Sequence, residues 1–115
     1  MAVVLSSSLN RRAAFACSIL PFFFGGASAQ EMTAGVILEK MEPKEQVSYM
    51  AGIIEGLAYA RYEKDGKKTE GMGCIYQWFH NNDKTLGKID AAFRRFKDYP
   101  PGAVIAAMVK KECGE

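Results

Sequence analysis

At 115 residues, 49% of them apolar, and with a formal charge of +2, the chain has room for one domain with a modest core. So small a charge gives no electrostatic case for nucleic acid or an anionic lipid surface as a partner.

The chain begins with a pattern unlike the rest. Arg11 and Arg12 form a positive patch with no acidic neighbour, Ala13 to Phe24 is an apolar run, and Gly25 to Ala29 is built of small residues. Ala27 and Ala29 stand at the −3 and −1 positions of an A-x-A site, so residues 1–29 are expected to be a secretory signal peptide, cut between Ala29 and Gln30. The apolar run would span only about 18 Å as a helix, short of a bilayer's roughly 30 Å core, which argues against a lasting membrane anchor. Cleavage leaves Gln30 to Glu115 in an oxidising compartment, the periplasm, with thirteen Lys and Arg balanced by thirteen Asp and Glu.

Thr33 can cap a short helix carrying Val36, Ile37 and Met41, which Glu42-Pro43 ends. A second helix is expected from Pro43 to about Tyr62. Val47, Met50, Ala51, Ile54, Leu57 and Ala58 recur along it at three- and four-residue spacing. Tyr49, Gly52, Ile53, Gly56 and Ala60 form a second, small and apolar face, which predicts close approach of another helix over Gly52 and Gly56. Glu63 to Glu70 reads as an exposed loop around Asp65-Gly66. The stretch from Gly71 to His80 is compatible with a short helix or an extended segment. Asn81-Asn82-Asp83 is a break, and Asp83 is placed to cap a helix running to about Lys97 with Leu86, Ile89, Phe93 and Phe96 inward. Tyr99-Pro100 ends that helix. The last one, Pro101 to Cys113, buries Val104, Ile105, Met108 and Val109. The expected fold is all-α, a small bundle of four to five helices.

Cys17 leaves with the signal, and Cys74 and Cys113 remain as an even pair in an exported chain. One disulfide between them is the expectation. Catalytic and metal-binding patterns are missing: His80 is the single histidine, no ligand spacing surrounds it, and bridged cysteines offer no nucleophile. The reading is a binding protein without cofactor or metal, not an enzyme. Tyr76, Trp78 and Phe79 read first as core and second as a partner surface. The polar stretch Glu63 to Gly73 suits a projecting loop, so Lys67, Lys68 and Glu70, with Tyr76 and Trp78, are the candidate partner contacts.

Tyr49 to Leu57 (YMAGIIEGL), Cys74-Ile75, the helix ending Phe96 to Pro100 (FKDYP), and Val104 to Cys113 (VIAAMVKKEC) together resemble the Rap/Tai immunity proteins of type VI secretion. The resemblance covers about 65 residues. It departs at Tyr76, where the family has the proline of C-I-P, and in lacking a second cysteine pair. It implies a periplasmic helical protein that binds and blocks a cell-wall amidase effector, often as a homodimer. A weaker similarity runs to the HdeA acid-stress chaperones, also small, helical and disulfide-bridged, although in that family the second cysteine precedes the last helix. A structural subunit of an envelope complex is a third reading.

Overall fold

Five helices organise residues 31–115, which the computed structural model describes: α1 (Ala34–Lys40), α2 (Pro43–Lys64), α3 (Glu70–His80), α4 (Thr85–Arg95) and α5 (Pro101–Cys113). No strand occurs among the described residues, so the all-α expectation holds. The expected signal peptide and its Ala29–Gln30 cleavage site lie outside the described residues. Within them, no helix is long and apolar enough to cross a membrane.

Local chemistry explains most of the boundaries. The Thr33 side chain accepts a bond from the Val36 N–H at 3.2 Å and starts α1. Pro43 occupies the first turn of α2, and the Glu42 N–H donates to Glu45 Oε2 at 3.0 Å, half of a reciprocal capping box. Pro101 opens α5, and Gly114, at φ 75°, closes it.

α2 and α3 make the most extensive helix–helix contact, and α5 packs against both. Ile37, Ile54, Ile75, Ile89, Phe93 and Ile105 are almost completely excluded from solvent and come from all five helices, so one core is shared throughout. Met50, Ala58, Val104 and Val109 join it as expected, whereas Met108 is only half-buried.

The Cys74–Cys113 disulfide forms, with the two Cα atoms 5.9 Å apart, and staples the first half of α3 to the end of α5. Closing a loop of this length is worth about 4 kcal/mol in the chain-entropy account, a large share of a small domain's stability.

Several expectations need correction. α2 continues through Glu63 and Lys64, and α3 begins at Glu70, so the connection is only residues 65–69 rather than a loop from Glu63 to Gly73. Both helix ends are polar but helix-favouring, so the loop around Asp65-Gly66 is shorter than its charged flanks suggest. The ambiguous stretch from Gly71 to His80 is helical. Gly52 and Gly56 are exposed, with nothing within 4 Å of a Cβ placed on either, so no helix closes over them. Val47, Leu86 and Phe96 are also exposed, because the core is narrower than the apolar stripes of α2 and α4. Asp83 does not cap α4. Asn82 Oδ1 instead accepts from the Lys84 N–H at 3.0 Å, an Asx-type turn that leads into the helix.

Candidate functional site

The turn between α2 and α3 is held tightly at its base. The Arg61 guanidinium pairs with Asp65 at 2.7 Å and donates to the Gly114 carbonyl at 2.9 Å. It thereby joins the end of α2 to the end of α5, where unpaired helix carbonyls favour a cation. Gly71 lies against this clamp. A Cβ there would meet Arg61 Nε and Asp65 Oδ2 at 2.6 Å, so only glycine fits without displacing them.

Gly66 and Lys67 both take left-handed backbone, at φ 65° and 67°. This costs glycine little but is unfavourable for lysine. The Lys67 N–H bonds the Tyr62 carbonyl at 2.8 Å, which fixes the strained residue. Lys67 and Lys68 are exposed on this short, braced turn, and Glu70 is exposed at the first position of α3. Next to it Thr69, Glu70, Gly73, Gln77, Asn82 and Glu112 border a groove of about 550 Å³, with the Cys74 end of the disulfide in its wall.

The remaining two candidates divide. Tyr76 is half-buried and donates its hydroxyl to Glu55 Oε2 at 2.6 Å. That bond, followed by desolvation and the Glu55 charge, raises the phenol above its ordinary value of 10.0. Trp78 is 6% exposed and belongs to the core, as does Phe79 at 7%. Their burial follows the core reading of the aromatic cluster and leaves Trp78 little surface to offer. The Trp78 carbonyl is secured separately: the buried Thr85 hydroxyl donates to it at 2.5 Å and joins the end of α3 to the start of α4. Lys67, Lys68 and Glu70 thus lie together at the turn and the start of α3, whereas Tyr76, six residues further on, faces Glu55 of α2 and Trp78 is in the core.

Sequence reasoning missed a second surface. α4 stops at Arg95, and Phe96 and Tyr99 emerge 41% and 59% exposed on the link to α5. With Ala92, Ala103, Ala107 and Met108 they line a mainly apolar groove of about 500 Å³ between α4 and α5. The link is anchored by α1: the Ala34 N–H donates to the Tyr99 carbonyl and the Gly35 N–H to the Lys97 carbonyl, both at 2.9 Å. Two otherwise unpaired helix-start donors are satisfied in this way. The available signal was the Tyr99-Pro100-Pro101 sequence, which forces the helix to end close to Phe96 and can turn that residue out of the inward stripe.

Among the described residues, no three metal-ligating side chains cluster. Compared with protein-family models, curated proteins and solved structures, the chain matches none.

Proposed function

We propose that this chain is an exported, non-catalytic binding protein that works in the periplasm in the manner of the Rap/Tai immunity proteins, occupying and blocking a cell-wall amidase. The observation that carries the reading is the braced turn at Lys67, Lys68 and Glu70. Exposed charge stands there on a backbone fixed by the Arg61 clamp, beside a disulfide, so little conformational freedom is lost when a partner binds. The left-handed Lys67 adds to it, since backbone strain gathers at functional positions. Of the four helices that carry the resemblance, α2, α3 and α5 are joined by this clamp and the disulfide, and α4 is not.

The test is inhibition of a secreted amidase encoded beside this chain, measured at neutral pH with wild type and with Lys67, Lys68 and Glu70 all replaced by alanine. The triple variant should inhibit at least about tenfold less well while melting close to wild type, because exposed substitutions usually shift stability by about 0.5 kcal/mol or less. Equal inhibition by both proteins removes the turn from the interface, and no inhibition by either removes the immunity reading. Intact mass of the envelope form should begin at Gln30, and a full-length mass would overturn the export step. The exposed α4–α5 groove favours a second reading, an HdeA-like chaperone, which predicts suppression of client aggregation at about pH 3 and no effect of the triple variant.

A further inference from the structure

Three surfaces stand apart from the braced turn. The Gly52–Gly56 stretch of α2 is a small-residue stripe, with nothing within 4 Å of a Cβ placed on either glycine. The notch between α2 and α5 is occupied by Arg61, whose donors are engaged by Asp65 and Gly114. The α4–α5 groove differs from both, because its shape and its charge specify an occupant.

We propose that the α4–α5 groove docks an acidic amphipathic helix of a protein partner. Its lining is apolar except for Lys111, and no acidic residue takes part. Outside the lining itself, the Arg95 guanidinium lies 5.5 Å from the centre of the ring of Phe96, which does line the groove, a cation over an aromatic face. Neither Arg95 nor Lys111 is in an ion pair among the described residues, whereas the nearby Arg94 is taken up by Asp90 at 2.8 Å. Beyond the groove the bias is weaker, with seven Lys or Arg against four Asp or Glu across residues 83–112. A groove with Lys111 in its wall, Arg95 on the Phe96 ring and an apolar floor complements a segment with acids flanking an apolar stripe.

Length points the same way. From Ala103 to Lys111 the floor rises about 12 Å, a little over two helical turns, which matches anchors at i, i+3, i+4 and i+7 on an incoming helix. Phe96 and Tyr99 pack edge to face, with centroids 5.7 Å apart, and expose the kind of ring surface that dominates binding energy. Because α1 pins their backbone, they meet the partner already ordered.

The inference rests on the reading of the chain as a protein-binding module, but is tested separately. The purified full chain is titrated against a labelled peptide of about 14 residues, with leucines at the anchor spacing and glutamates on the flanks. A twin peptide carries lysines in place of the glutamates, and fluorescence anisotropy reports binding. The acidic peptide should bind and its basic twin bind at least about tenfold more weakly. Phe96→Ala and Tyr99→Ala should each weaken binding about tenfold, Phe96→Leu should retain most of it, and Lys111→Glu should weaken it severalfold and flatten its salt dependence. Circular dichroism confirms that each variant is folded.

Equal binding of both peptides, wild-type affinity in the Phe96→Ala and Tyr99→Ala variants, or binding to anionic phospholipid vesicles without binding to peptide would overturn the proposal. So would self-association that Phe96→Ala abolishes, since the occupant would then be a second copy. The two readings fail differently. Amidase inhibition by the wild-type chain, with no binding of the acidic peptide, defeats only the groove, whereas peptide binding without amidase inhibition defeats only the immunity function.

Discussion

Replacing three helical glycines by alanine should give opposite results, and the sign at each follows from what surrounds the new methyl group. Gly52 and Gly56 lie inside α2 on its exposed face, where a Cβ meets nothing within 4 Å. Alanine there gains about 0.8–1 kcal/mol of helix propensity per position with no packing cost, so the double variant should be more stable by nearly 2 kcal/mol. For a domain of this size, each kcal/mol moves Tm by about 4–8 °C, so the double variant should melt roughly 8–15 °C higher. Gly71 is the second residue of α3, where the propensity gain is smaller, and its new Cβ would sit 2.6 Å from Arg61 Nε and 2.9 Å from Arg61 Cγ. Arg61 would have to move and release Asp65 and the Gly114 carbonyl. Its side chain is only 17% exposed, so losing these charge-assisted bonds should outweigh the propensity gain and leave Gly71→Ala less stable by about 1–2 kcal/mol. Thermal melts followed by helical ellipticity, on oxidised protein, read both effects. If the Gly52/Gly56 double variant melts lower than wild type, that face of α2 is covered in solution and the exposed-face account is wrong. If Gly71→Ala melts at or above wild type, the Arg61 clamp contributes nothing to stability.

Replacing Cys74 and Cys113 together by serine should cost up to about 4 kcal/mol, seen as a large fall in Tm that reductant reproduces in wild type, whereas free thiols in oxidised protein would contradict the bridge. Thr85→Val should destabilise by about 1–3 kcal/mol because it leaves the buried Trp78 carbonyl unpaired, and Thr85→Ser, which keeps the hydroxyl, should cost less in the same denaturant titration. Tyr76 should titrate above the ordinary tyrosine value of 10.0, and Glu55→Gln should bring it back down, followed by phenolate absorbance. Since its folded value is raised, the stability contributed by the Tyr76–Glu55 bond is complete below the unfolded phenol's value and is lost as pH climbs through the raised one.

Where local chemistry decides, the fold was legible in the chain. Thr33, Glu42-Pro43 and the paired prolines mark helix boundaries through their own side chains and rings, and they lie where the helices begin and end. Ile54, Ile89 and Phe93 are buried because the apolar period places them on the inner face. The failures share a cause: periodicity reports which face is apolar, not whether anything covers it. Gly52 and Gly56 look like a close-packing seam until no neighbour arrives, and Phe96 continues the α4 stripe one residue after the helix has ended. Glu63, Lys64 and Glu70 resemble loop because they are charged, although the same side chains extend helices readily. For the candidate site, the turn at Lys67, Lys68 and Glu70 could be read from Asp65-Gly66, but its brace could not. Arg61 reaches residues more than fifty positions later, a pairing that no local pattern encodes.

The bonds from Ala34 and Gly35 to the carbonyls of Tyr99 and Lys97 also carry a consequence for the order of events during folding. The chain grows from its N-terminus, so α1 is made more than sixty residues before the acceptors for its first donors exist. A helix of seven residues is too short to persist alone in water, so it stays unformed until the α4–α5 link arrives to seat it. The staple is late as well, since Cys74 waits 39 positions for its partner. The contacts that finish the domain thus each tie an earlier segment to a much later one, and an interrupted chain ending before Lys97 would have neither the seat for α1 nor the staple. Completion takes two steps: the link at Lys97 and Tyr99 seats α1, and the end of α5 then brings Cys113 to Cys74.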